Sequence, residues 1–231
     1  MQKLKDSTRS AAVMIKSFGK ALSGIFGVTL RPPKLDTDVQ EDRKKKRTKL
    51  YAKNFTRRYS LITIIAFFFT FAFIGWLWEV LLVLVRHKTF ANRGVLHGPW
   101  LPIYGFGGVL VLTILYRLRN RPALHIGMTA LLCGSVEYLT SVALEKIHGV
   151  KWWDYTGYFL NINGRVCAEA LLVFVVCGTV TVYLVAPLLD DLYKKIPTKI
   201  FTVICVILTV IFLADTVYSQ FVPNVGYGIT S

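Results

Sequence analysis

Apolar residues gather into five long runs, at about Tyr59–Val85, Gly98–Tyr116, Pro122–Glu145, Gly164–Leu189 and Thr198–Phe221. Each approaches or exceeds the ~20 residues a helix needs to cross a bilayer. The pattern therefore predicts an all-α polytopic membrane protein with about five transmembrane helices over residues 59–221. Pro122 suits the first turn of the third helix, where its missing N–H costs nothing. A different pattern precedes these runs. Ala11, Met14, Ile15, Phe18, Ala21, Leu22, Ile25 and Phe26 share one arc of a helical wheel, and Arg9, Lys16 and Lys20 lie opposite. This predicts an amphipathic basic N-terminal helix over 1–30, suited to the membrane surface or to docking on other protein. Lys16 and Lys20 interrupt it too early for a signal peptide. Residues 31–58 read as a basic linker around Arg43-Lys44-Lys45-Lys46-Arg47, and residues 222–231 as a short uncharged tail.

Charge gives this layout a direction. Of the 28 Lys and Arg in the 231-residue chain, sixteen precede Tyr59, against five Asp and Glu. A basic excess directly before a spanning helix, with no nucleic-acid-binding motif, points to anionic lipid and not to nucleic acid as partner. By the positive-inside rule the N-terminus is expected in the cytoplasm, with the Arg117–Arg121 and Lys194–Lys199 connections on the same side. Five spans then leave the C-terminus outside. The four cysteines, Cys133, Cys167, Cys177 and Cys205, lie in apolar runs without CxxC spacing, which argues against a disulfide framework or a thiolate metal site. Neither a metal nor a cofactor is expected.

Polar residues inside the runs mark the candidate site, because an ionised side chain in hydrocarbon costs about 2.5–3.5 kcal/mol even on the lenient insertion scale. Glu79, Glu145, Glu169 and Asp215 fall in the outer half of the predicted bundle, and Glu137 near the middle of the third span. Glu137, Ser141 and Glu145 share a helical stripe at i, i+4, i+8. Arg165 and Glu169 are placed either to pair along one helix or to face different neighbours. Arg93, His97 and Tyr104 come from the Gly- and Pro-rich stretch Asn92–Gly108, while His148, Asp154, Asn161 and Asn163 come from the second outer loop. Trp152, Trp153 and Tyr155 have the character of interface aromatics. Three uses fit: a network of ion pairs locking a scaffold, a polar cavity for a solute, ion or lipid headgroup, or a catalytic site with Glu79, Glu137 or His97 as acid–base groups and Arg165 on an anionic substrate. No HExxH, nucleophile elbow or P-loop is present to single out a reaction.

The strings GWLWEV (Gly75–Val80), NRGVLHGPWLPIYGFGG (Asn92–Gly108), CGSVEYLTS (Cys133–Ser141), LEKIHGVKWWDY (Leu144–Tyr155) and NINGRVC (Asn161–Cys167) resemble the ABC-transporter type IV, or CmpB-like, integral membrane proteins of bacteria. The resemblance covers roughly Tyr59 to Leu189. It implies a permease-like protein of the bacterial inner membrane and carries over no established substrate or catalytic residue. The matching positions include Glu79, Asn92, Arg93, Gly94, Pro99, Pro102, Tyr104, Glu137, Trp153, Asp154, Asn163 and Arg165. The chain has no Walker motif, so any ATPase would be a separate subunit. Five spans are few for alternating access, and a homo-oligomer or partner subunit is expected.

Overall fold

The computed structural model describes residues 28–29 and 57–224. The expected N-terminal amphipathic helix, most of the basic linker and most of the tail lie outside the described residues. Val28–Thr29 (β1) pairs in parallel with Tyr59–Ser60 (β2). Leu61–His87 follows as α1. Ser60 starts it by accepting the Thr63 amide at 3.2 Å, the bond that makes serine a good N-cap, and Lys88 ends it in the left-handed conformation.

Pro102–Ile114 forms α2, which tightens into a 3-10 turn at Leu115–Leu118. Pro122–His148 forms α3, opened by Pro122 and closed by Gly149 at φ 75°. Ala168–Val180 (α4) continues through a π-helical segment, Thr181–Val185, into Ala186–Tyr193 (α5). The widened turn has a local cause: Pro187 has no N–H for the preceding carbonyls, and its ring crowds residue 183. Thr198–Phe221 is α6, with the boundaries expected from its apolar run.

Of the five expected spans, four are helices long and apolar enough to cross a membrane, and the second, Pro102–Leu118, is shorter than that. The second apolar helix begins at Pro102 and not at Gly98, because residues 94–99 form bends and Leu101 is extended. Leu101 N–H donates to the Ala72 carbonyl at 3.0 Å. Ala72 lies fifteen residues, about 22 Å of helix, before the end of α1. The Asn92–Leu101 stretch therefore folds back alongside the second half of α1, and that is why α2 is short. The fourth span starts at Ala168 and not at Gly164, since Cys167 is its N-cap.

Helix α1 is the central element, with 44% of its apolar window buried, whereas α6 at 11% is peripheral. Its contact with α2 is close at Gly105, where a Cβ would stand 2.8 Å from the Phe68 carbonyl oxygen. Tyr59, Phe67, Phe71, Leu112 and Val182 make the largest apolar core. A charged clamp closes the end of the bundle below it. Arg57 pairs with Asp190 at 2.8 Å and Asp191 at 2.6 Å, and Lys194 meets Asp190 at 2.8 Å. Arg119, 1% exposed, donates to the Arg57 and Leu112 carbonyls and lies over the Tyr59 and Tyr116 rings. Burial pulls its guanidinium below the ordinary value.

Candidate functional site

The opposite end carries the two long connections, 88–101 and 149–167, and the polar residues there form two separate groups. The first lies among α1, α2, α3 and the second connection. Tyr104 donates its hydroxyl to Glu79 at 2.6 Å, and Arg93 Nε stands 3.7 Å from the other Glu79 oxygen. Tyr104 seats against Gly75, where any Cβ would occupy the position of its ring. On α3, Glu137 accepts the Tyr155 hydroxyl at 3.0 Å. Tyr104 and Tyr155 are each within electrostatic reach of both glutamates, so the two pairs form one group. Burial, then the Glu137 carboxylate, pushes the Tyr155 phenol well above its ordinary value, so it acts as a donor throughout the physiological range.

Glu137 is the exceptional member. It is 3% exposed, and its Oε2 has no hydrogen-bond partner among the described residues. No Arg, Lys or His pairs with it among those residues, although Glu79 has Arg93 and Glu145 has Arg165. A buried carboxylate oxygen without a donor costs about 1–3 kcal/mol or more, so this atom calls for a proton or a cationic group.

Arg165 settles one of the alternatives left by its spacing. It precedes α4 and does not pair with Glu169; it donates to Ser141 at 2.9 Å and to Glu145, and its guanidinium lies over Tyr138. Glu169 instead accepts the Phe159 amide at 3.3 Å. Asn163 donates to the Tyr138 hydroxyl at 3.0 Å. Asp154 turns back on its own loop, accepting the Thr156 hydroxyl at 2.6 Å and amide at 2.9 Å, and these bonds hold its carboxyl below the ordinary range. His148 packs edge-on against Trp152. The tryptophans expected at the interface turn inward: Trp152 is 5% exposed, and Trp153 donates to the Arg165 carbonyl. A Trp-Trp-x-Tyr run on a connecting loop suits either role, and only the loop's fold distinguishes them.

The second group surrounds Asp215 on α6. His97 and Gly98 amides and the Trp100 indole donate to this carboxylate at 3.1, 2.9 and 2.7 Å. His97 Nδ1 lies 3.1 Å from Ser219 Oγ, so His97 joins Asp215 and Ser219 and stands apart from Glu79 and Glu137. Asn224 donates to the Asn92 and Gly94 carbonyls at 3.0 Å, and its amide reaches Val95 at 2.9 Å. Asn92 accepts from Trp76 at 2.6 Å and donates to the His97 carbonyl at 2.8 Å. Irregular backbone at membrane depth persists only where its polar groups are satisfied, and Asp215, Asn92 and Asn224 meet that need. Nothing in the spacing of Asp215 and Asn224 marks them for this role, since the backbone groups they satisfy lie more than a hundred residues away.

Helices of this length and apolarity, with carboxylates and arginines turned toward one another, define a polytopic α-helical membrane protein. Residues 66–220 match the model of the family described as "Putative ABC-transporter type IV", and the chain belongs to that family. No curated protein and no solved structure matches it.

Proposed function

We propose that the protein is a permease-like component that binds, and passes on, a small polar solute carrying a positive charge, at the Glu79–Tyr104–Tyr155–Glu137 group. The observation that carries this reading is Glu137: a buried carboxylate with one oxygen held by Tyr155 and the other unpartnered among the described residues. Glu79 and Glu145 have arginine partners, so their charge is compensated, whereas Glu137 supplies an unmatched negative charge. Tyr104 and Tyr155 would orient the solute through their hydroxyls, and the Phe174 ring, 6.3 Å from that of Tyr104, would exclude water on the α4 side. The positive-inside reading puts the site on the outer side of the bacterial inner membrane, with the N-terminus cytoplasmic. The basic N-terminal region would then rest on anionic lipid, with a second copy or a separate subunit completing the transporter.

Thermal stability of the purified protein in lipid nanodiscs tests this reading. Monovalent metal cations, primary amines, quaternary amines and zwitterionic amino acids are the probes. A cation that binds the folded protein raises the midpoint, and the shift grows with the logarithm of its concentration above Kd. At least one cationic class should stabilise the wild type, and the effect should vanish in Glu137→Gln while surviving in Glu169→Gln. Stabilisation that is equal in wild type and Glu137→Gln, or absent for every class, refutes the assignment.

A further inference from the structure

The most buried positions of α3 are polar, although its partly buried Met128 and Leu132 pack on the main apolar core. His125, Thr129, Glu137 and Ser141 are its fully buried residues, and no apolar side chain joins them. Cys133 and Glu145 complete the row at the same four-residue interval. From His125 to Glu145 the row extends about 30 Å along the axis, the thickness of a bilayer's hydrocarbon. An i, i+4 row drifts slowly around its helix, and successive elements keep it covered. Tyr183 packs edge-on against His125, and Gly178 lies against Thr129, where a Cβ would come within 2.9 Å of Thr129 Cγ2. Tyr155 meets Glu137, and Arg165 meets Ser141 and Glu145.

Two atoms of this row lack hydrogen-bond partners among the described residues: His125 Nε2 and Glu137 Oε2. Both residues are buried, His125 at 0% exposure and Glu137 at 3%. A helix that needed only to pack would place small or apolar residues here. Two unpartnered titratable groups on one covered row, with a hydroxyl and a thiol between them, make a relay instead.

We propose that this row is a proton path connecting Glu137 with the Arg57–Arg119 end of the bundle through Cys133, Thr129 and His125, with water as co-carrier. The Thr129–His125 step is a direct contact at 3.4 Å. The other four-residue steps, about 6 Å along the axis, exceed hydrogen-bond reach, so water must bridge them. The exchange balances at each end. Glu137 gives up its carboxyl proton and becomes a carboxylate. The Thr129 hydroxyl, which donates to the His125 carbonyl at 2.8 Å, turns to give its proton to His125 Nδ1, 3.4 Å away, and takes one back from the bridging water. His125 then releases its Nε2 proton to water at the Arg119 end and is a neutral imidazole before and after. The charged and titratable groups facing His125 are Arg119 and Tyr183; those around Glu137 are Tyr155, Tyr104, Glu79 and, on its own helix, Cys133. The path shares Glu137 with the solute site and does not require that a solute bind there.

The test uses the full chain in liposomes loaded with a pH-sensitive dye and driven by a valinomycin potassium potential. Wild-type vesicles should change internal pH faster than protein-free ones. Glu137→Gln should slow that flux by about a hundredfold, the lower end of what a positioned proton-transfer group contributes. Thr129→Val, which keeps the shape and removes the hydroxyl, should give a partial loss. Ser135→Ala, exposed on the same helix, should match wild type. If Glu137→Gln elutes as aggregate, Thr129→Val decides. Wild-type flux no greater than that of empty vesicles, or unchanged flux in Thr129→Val and in a monodisperse Glu137→Gln, overturns the path. The solute reading is untouched by that result, because its thermal shifts are measured without a gradient.

Discussion

Asp215→Ala perturbs the structure where a single side chain serves the most backbone. The wild-type carboxylate accepts from the His97 and Gly98 amides, the Trp100 indole and the Ser219 hydroxyl. Truncation leaves these donors without an acceptor. The His97 amide bond is exposed and water can replace it, and the Ser219 hydroxyl can turn to His97. The Gly98 amide and Trp100 indole are partly buried, and Trp100 is only 8% exposed. Each stranded donor costs about 1–3 kcal/mol, giving about 2–6 kcal/mol for the pair, with the lower half favoured if the loop relaxes. Asp215→Asn keeps a carbonyl acceptor and should lose less. Unfolding in mixed micelles gives the free energy. Leu96→Cys, at a position 6% exposed, reports locally, because a thiol there becomes labelled only if the Asn92–Leu101 stretch leaves α1. If Asp215→Ala unfolds at the wild-type midpoint with the Leu96→Cys thiol still protected, Asp215 does not hold this segment.

Gly105→Ala places a methyl group 2.7–2.8 Å from the Phe68 ring and carbonyl oxygen, so α1 and α2 must separate; a loss of about 1–3 kcal/mol is expected. Gly107→Ala meets nothing within 4 Å and should be neutral or slightly stabilising, which makes equal midpoints for the two variants the refuting result. The Asp154 carboxyl is held down by the Thr156 hydroxyl and amide, so its bonds hold the loop fully above the ordinary aspartate range and fail as pH falls through the depressed value. Backbone exchange protection at Thr156, corrected for the intrinsic pH dependence, should therefore be flat near neutrality and fall in acid. Asp154→Asn should remove that acid transition, and its persistence would assign the transition to another group.

The apolar runs alone determined the membrane class and the helices, because a spanning helix satisfies its own backbone and needs only length and apolarity to be recognised. Thr198–Phe221 matches its run to the residue. The cost of charge in hydrocarbon likewise marked Glu79, Glu137 and Arg165 as residues that must face protein or a ligand. Tertiary structure decided which partners they take. Arg165 chose Glu145 and Ser141 over Glu169 because the chain turns at Cys167 before the helix begins. His97 fell to Asp215 because α6, more than a hundred residues later, packs beside the folded-back stretch. That stretch ends level with the middle of α1, since close contacts at Gly75, Gly105 and Gly108 bring α2 near enough for Leu101 to reach Ala72. Helix periodicity is local and survives in the chain as a pattern. Pairing across helices depends on depth and rotation, which only the packed bundle fixes.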